Sequence, residues 1–359
     1  MEGVRTDSGS PRRATPVRAL VVDDSRFMRE LIGDMLNEAG IDVVATATDG
    51  REGVAAVREH EPDVVTMDLE MPNMDGIEAV ERIMRERPTP ILMLSAYTEG
   101  NAAVTLDALE RGAVDFFAKP GGEVSMGISR HREQLVETVY SVADADVSEL
   151  DAGGDVEPAP ESGLDVASLP TTTVVIASST GGPGAVEQVL AGLPGDADLR
   201  VLVVQHMPES FTERFAARLD GATELDVREA GDGDRIGRGE AVVAHGGAHL
   251  VVSNYRAGRL RVKHQTDGPD DIVPAADVTM ESAADTVTDT LVGVVLTGMG
   301  GDGAAGVEAI AAAGGRAVAQ DEDTSAIYGM PKRAAETGCV DAIRPLSEVA
   351  AAVVEVASE

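Results

Sequence analysis

The stretch "TTTVVIASSTGGPGAVEQVL", residues 171–190, decides the fold. Thr171 to Ile176 form a β-branched run, the composition of a strand buried on both faces. Two serines, a threonine and two glycines follow, and then Ala185, Val186, Val189 and Leu190 recur at helical spacing. A strand passing through a Gly-rich turn straight into a helix is the unit of an α/β sheet. It leaves Ser179 at the carboxyl end of the strand. A tight turn needs small residues, and that alone accounts for a serine. Ser179 is a nucleophile only if a base and an orienting acid come from elsewhere in the chain.

The same pattern recurs outward. Downstream, "RVLVVQ", "ELDVRE", "EAVVAH", "LVGVVLTG" and "RAVAQ" are strand-like, and "FTERFAARL" and "GAAGVEAIAAAG" are helical. "AHLVVSNYRAGRLRVK" instead predicts a β-hairpin turning at Ala257-Gly258. Upstream, residues 144–170 are rich in Asp, Glu, Gly, Pro and Ser without periodicity, the composition of an acidic linker. Before it, "VRALVV", "IDVVATA", "DVVTMD", "PILMLS" and "VDFFAK" alternate with amphipathic helical patterns. The expectation is two doubly wound, parallel-sheet α/β domains, over 17–143 and 171–359. Residues 1–16 read as a disordered arm, without the apolar segment of a signal peptide.

Composition narrows the function. The 359 residues carry a net charge of −34, spread over both halves: 15 basic against 34 acidic side chains in 1–170, and 14 against 29 in 171–359. Such a surface repels nucleic acid and anionic lipid. Three lysines stand against 26 arginines, and an acidic, lysine-poor surface predicts a protein adapted to concentrated salt, where screening cancels self-repulsion. One cysteine, Cys339, excludes an internal disulfide and a Cys-based zinc site. No run is long and apolar enough for a membrane span, so the expected location is the cytoplasm.

In the first domain the strands end in acid. "ALVVDDS" puts Asp23 and Asp24 after the first strand, and "VVTMDLEMPNMDG" puts Asp68 at the end of the third. Parallel strands share one carboxyl edge, where open α/β sheets bind ligands. Three carboxylates there repel one another unless a hard cation such as Mg2+ sits between them. Ser95 and Lys119 end two further strands at the same edge, and a cation, a hydroxyl and a lysine around one carboxylate are what an acyl phosphate needs.

With "VVDDS", "DLEMPNMDG", "MLSA" and "DFFAKP" over residues 17–143, the domain resembles the response-regulator receiver family. The resemblance implies a flavodoxin-like fold, Asp68 as phosphoacceptor, and Mg2+ held by Asp23, Asp24, Asp68 and the Glu70 backbone carbonyl. It also implies Ser95 and Lys119 as phosphate contacts and Phe116 as the switch aromatic.

The second domain offers four histidines: His206, His245, His249 and His264. His206 ends the apolar run "RVLVVQH", and Asp302 follows the strand in "LVGVVLTGMGGDGAAGVEAI". Ser179, His206 and Asp302 thus leave three strands at one sheet edge, which can gather them without sequence proximity. Taken singly, each has a blander role: turn residue, core histidine, helix cap. Gly-rich turns also cradle phosphates, although neither turn here matches G-x-G-x-x-G or G-x-x-x-x-G-K-[ST]. "AHGGAHL" lacks a third metal ligand at sensible spacing.

"IASSTGGPGAVEQVL", "VVQHMPESFTERFAARL", "GGAHL", "VVLTGMGGDGAAG" and "YGMPKRA" together resemble the catalytic domain of the chemotaxis protein-glutamate methylesterases, the CheB family, over about 173–355. That resemblance implies a Rossmann-like three-layer esterase with the triad Ser179, His206 and Asp302. Thr180 and the Met299 amide would support the oxyanion, and Ser178 would be a turn residue. Gly301 stands where Asn is more usual, and His245 where Pro is more usual. The implied activity is hydrolysis of glutamate methyl esters on chemoreceptors, with deamidation of certain receptor glutamines. It needs Mg2+ at the receiver, no cofactor for hydrolysis, and a chemotaxis histidine kinase as phosphodonor. A receiver joined to a non-catalytic, anion-holding module is the alternative.

Overall fold

The computed structural model describes residues 15–96, 99–119, 128–145, 147, 169–267 and 272–358. The first sheet takes Arg18–Val22 (β1), Asp42–Ala47 (β2), Val64–Asp68 (β3), Ile91–Ala96 (β4) and Asp115–Lys119 (β5), all parallel in the order β2-β1-β3-β4-β5. Arg26–Glu38 (α1), Gly50–His60 (α2), Gly76–Glu86 (α3), Glu99–Glu110 (α4) and Ile128–Ala143 (α5) alternate with the strands. Ser25, Asp49 and Asp75 cap the first three helices by accepting amides from Met28, Glu52 and Glu78. The strand order reverses between β1 and β3, so Asp23 and Asp68 flank the crevice that such a reversal opens.

The second sheet has seven parallel strands in the order β15-β14-β13-β6-β7-β10-β8. They are Thr172–Ser178 (β6), Leu199–Gln205 (β7), Asp226–Glu229 (β8), Glu240–Val243 (β10), Thr290–Val295 (β13), Arg316–Gln320 (β14) and Ala342–Arg344 (β15). Alternate residues of β6 serve two cores: Val174 and Ile176 join one cluster, Val175 and Ala177 the other. Burial on both faces is why residues 174–177 read as an unbroken apolar run. Gly182–Gly192 (α6), Glu209–Ala222 (α7) and Leu346–Ala357 (α11) cover one face; Ala276–Thr286 (α8), Ala304–Ala312 (α9) and Met330–Glu336 (α10) cover the other. The expected hairpin is His249–Arg256 (β11) against Arg259–Gln265 (β12), turning through Ala257 and Gly258 at φ of 50° and 74°. Arg235–Ile236 (β9) joins it as a third antiparallel strand.

Most of the 1–16 arm and the 144–170 linker lies outside the described residues. At the linker's ends the apolar residues are not free: Ala145 and Val147 pack into the first domain's core, and Leu169 into the second's. Among the described residues no helix is long and apolar enough to cross a membrane.

The first domain sits on the second through α4, β5 and α5. Leu106 of α4 is buried in the second domain's core cluster. Arg218 of α7 donates to the Leu106 carbonyl at 2.9 Å and pairs with Glu110 at 2.9 Å and Glu187 at 2.7 Å. Phe116 stacks on Phe211 with ring centroids 4.3 Å apart.

Candidate active site

β6 is flanked by β13 and β7, so the turns that follow these three central strands meet at one edge. His206 Nε2 lies 2.7 Å from Asp302 Oδ2. Two amides at the start of α8 hold the same carboxylate: Ala276 N donates to Oδ2 at 2.6 Å and Asp277 N to Oδ1 at 2.9 Å. Asp277 returns the arrangement, accepting from Gly303 N at 2.8 Å and Gly306 N at 2.7 Å at the start of α9. Each acid therefore anchors the helix that presents the other. Burial by itself raises the Asp302 carboxyl, but the His206 hydrogen bond and charge, with the two amides, outweigh it and hold the group below its ordinary range. Asp302 is thus an ionised partner for the ring. The partner fixes the tautomer: Nε2 carries the proton and Nδ1 is left as the base.

Ser179 N donates to the Thr297 carbonyl at 3.1 Å, and Gly182 N donates to Ser179 O at 2.8 Å. A side chain at Gly298 would meet Ser179 Cβ at 2.8 Å, so the turn bearing Met299 lies directly against the serine. No hydrogen bond joins Ser179 Oγ to the imidazole among the described residues; such contacts tighten when substrate binds. Ser178 is not a free turn residue. It is fully buried at the end of β6, and its hydroxyl donates to Gln205 Oε1 at 2.6 Å. A polar residue closing the apolar run of residues 201–204 was the available signal for Gln205; nothing local pointed to Asp277.

The other histidines are structural. His249 is buried and accepts the Ala275 amide at 3.1 Å on Nδ1. His245 stacks on His264 and pairs with Glu229 at 3.1 Å. Among the described residues, the one group of acids or histidines that could hold a metal ion is Asp23, Asp24 and Asp68, with oxygens within 4.8 Å of one another.

In that group Asp23 and Asp68 are buried and Asp24 is exposed. Lys119 Nζ reaches Asp23 at 2.7 Å and Asp68 at 2.6 Å. Burial raises the Asp68 carboxyl, opposed by the Lys119 hydrogen bond and charge. Three carboxylates facing one ammonium leave net negative charge, and their hard oxygens suit Mg2+. Ser95, buried on β4, lies one position beyond Leu94, the partner of Asp68 in the ladder.

The first domain reaches the esterase site. β5 carries Lys119 at one end and Asp115 and Phe116 at the other. The Thr180 hydroxyl, next to Ser179, bonds to the Asp115 carboxylate. Ser141 of α5 donates to Met299 Sδ at 2.6 Å. Both residues expected at the oxyanion are therefore gripped by the first domain.

A model of the CheB methylesterase family matches residues 174–353, and one of the response regulator receiver domain matches residues 19–126. The protein-glutamate methylesterase/protein-glutamine glutaminase of Haloarcula marismortui is 57% identical over 361 residues, covering 95% of this chain and 98% of its own length. The protein of the same name from Symbiobacterium thermophilum is 40% identical over 365 residues, covering 98% and 99%. The solved catalytic domain of Thermotoga maritima CheB methylesterase is 36% identical, with a TM-score of 0.49 over 51% of this chain and 97% of its own. With two domain models matched and relatives aligned end to end, the chain belongs to the CheB family of protein-glutamate methylesterases, in which a response-regulator receiver is joined to the esterase domain.

Proposed function

We propose that this chain removes methyl groups from glutamate side chains of chemoreceptors in the cytoplasm, and that phosphorylation of Asp68 by a chemotaxis kinase releases the activity. The observation that carries the reading is the His206–Asp302 pair at 2.7 Å, presented beside Ser179 at the central strands of a sheet that a receiver covers. An anion-holding module would leave that buried pair without a role.

In the reaction His206 Nδ1 takes the Ser179 proton as Oγ attacks the ester carbonyl. The imidazolium then protonates the methoxy oxygen as its bond to the carbonyl carbon breaks, so methanol departs and leaves an acyl-enzyme. Water, deprotonated by the same nitrogen, releases the free glutamate. Asp302 holds the tautomer and offsets the imidazolium charge. Thr180 and the Met299 amide stabilise the oxyanion. Receptor glutamine would react by the same attack with ammonia leaving. At the receiver, Asp23, Asp24, Asp68 and the Glu70 carbonyl would hold Mg2+, which when bound neutralises phosphoryl oxygens. Lys119 and Ser95 contact the phosphoryl group.

Closure acts through the oxyanion residues. With the receiver docked, the Thr180 hydroxyl is committed to Asp115 and Met299 to Ser141. Phosphorylation of Asp68, at the end of β3, shifts Ser95 and Lys119, and the Phe116 stack toward the other end of β5 is the two-state element it biases. Asp68→Asn should remove stimulation by a small acyl phosphate with Mg2+, measured as methanol released from methylated receptor membranes. Stimulation surviving in that variant would remove Asp68 from its role.

The docked state should also depend on pH. Burial pushes the Asp115 carboxyl up to about 6, against the hydrogen bonds from Thr180 and the Phe116 amide. A raised carboxyl binds its proton more tightly when docked. Docking therefore gains stability below the undocked pKa of about 4 and loses it as pH rises through about 6. Asp115→Asn keeps an acceptor but never ionises. Basal release at pH 7.5 should fall roughly three- to tenfold in that variant, and the ratio to the unaltered protein should close toward pH 5. Loss of the imidazole base is common to both and cancels in the ratio. A variant more active than the parent at pH 7.5 would show that the carboxylate strengthens docking.

A further inference from the structure

The parallel ladder between β6 and β7 runs out at Ser178↔Gln205, and its last rung is the His206 amide donating to Ser178 O at 3.0 Å. That rung joins His206 to the peptide unit that precedes Ser179. Beyond it no ladder bond joins the two backbones, and the carbonyls of Ser179 and His206 are left to other partners. The Gln205 side chain occupies this gap and is almost wholly buried. Its Nε2 donates to Ser179 O at 2.8 Å and to His206 O at 3.2 Å, using both amide protons. Its Oε1 accepts from the Ser178 hydroxyl at 2.6 Å, which sets which end of the amide faces which way. Gly182 makes room for it: a Cβ there would overlap Gln205 Oε1 and stand 2.9 Å from Ser178 Cβ.

We infer that Gln205 is a positioning residue for the esterase reaction: its amide ties the backbone of the nucleophile to that of the base, and Ser178 and Gly182 act through it. The inference rests on the reading of Ser179 as nucleophile and His206 as base. Proton transfer between them needs hydrogen-bond distance, and a displacement of about 1 Å at such a pair can lower turnover by about a hundredfold. Gln205 touches neither the reacting atoms nor the substrate. Its loss should therefore appear in kcat, with KM unchanged.

Gln205→Met keeps length and volume but removes both donors and the acceptor. Ser178→Ala keeps the amide but frees its orientation. In full-length protein, Gln205→Met should lower kcat for methanol release about 10- to 100-fold with KM within about twofold. Ser178→Ala should lower kcat about three- to tenfold, and should add nothing in the Gln205→Met background. A fluorophosphonate that labels Ser179 without using receptor recognition should lose labelling rate in the same order. Labelling of the unaltered protein that is absent from Ser179→Ala tests the nucleophile separately. Should Gln205→Met fail to fold, Ser178→Ala with its labelling rate decides alone. Turnover and labelling within twofold of the unaltered protein in every folded variant would overturn the inference, as would a rise in KM at constant kcat.

Discussion

Replacing Ser179 with alanine will lower methanol release from methylated receptor membranes by about 10⁴- to 10⁶-fold, the range seen when the nucleophile of a hydrolytic triad is removed. No neighbour can take its place. The Ser178 hydroxyl is buried and spent on Gln205. The Thr180 hydroxyl is held by Asp115 when the receiver is docked, and Thr180 is itself buried. The substitution should leave the fold intact, because the backbone bonds of residue 179 to Thr297, Gly182 and Gln205 do not use its side chain. Melting temperature should accordingly stay within a few degrees of the parent, measured in concentrated salt so that self-repulsion at a net charge of −34 is screened. Residual turnover within tenfold of the parent would mean that another group attacks. So would an inactive Ser178→Ala beside an active Ser179→Ala.

The salt condition has a basis in the family as well as in the charge. Relatives more than half identical come from the haloarchaea Haloarcula marismortui and Natronomonas pharaonis, at 57% each, and Halobacterium salinarum, at 54%. Several ion pairs are between exposed arginines and carboxylates, as at Arg26–Glu30 and Arg87–Glu61. Such pairs contribute little singly. The acidic surface is therefore a matter of solubility and screening, while β-branched and alanine-rich cores hold the fold.

What was legible in the sequence was whatever a strand declares about itself. Residues 174–177, before Ser178 and Ser179, are apolar at every position because β6 is covered on both faces, and the residues at strand ends collect at one edge because the strands are parallel. Those two facts are enough to group Asp23 with Asp68, and Ser179 with His206 and Asp302. Partners chosen across long sequence separations were not legible. Nothing local says that Asp277 caps the helix that follows Asp302, or that His249 takes the Ala275 amide rather than a metal. The domain contact was hidden for the same reason. Asp115 opens a strand and Leu106 sits in a helix, and neither residue's neighbours in sequence mark it as facing a second domain. Ser178 was misread as a turn residue because its hydroxyl bonds to a side chain 27 residues away.

The second large effect belongs to Asp302. Both of its oxygens accept hydrogen bonds from fixed donors: Oδ2 from His206 Nε2 and Ala276 N, Oδ1 from Asp277 N. In Asp302→Asn one oxygen becomes an NH2 group, and either orientation sets it against a backbone N–H. If it replaces Oδ2, the imidazole must turn its lone pair to Nε2. Its proton then sits on Nδ1, facing the serine, and the base is gone. If it replaces Oδ1, the tautomer survives but the charge that offsets the imidazolium does not, and the amide at Asp277 loses its acceptor. The first orientation predicts a fall in kcat of about 10⁴, the cost of a triad locked in the wrong tautomer. Either orientation predicts a stability loss of about 1–3 kcal/mol from a buried donor left facing a donor. Turnover at pH 7.5 with the melting temperature read alongside separates the two effects. An Asp302→Asn protein that melts lower yet turns over within tenfold of the parent would make Asp302 the cap of α8 and nothing more.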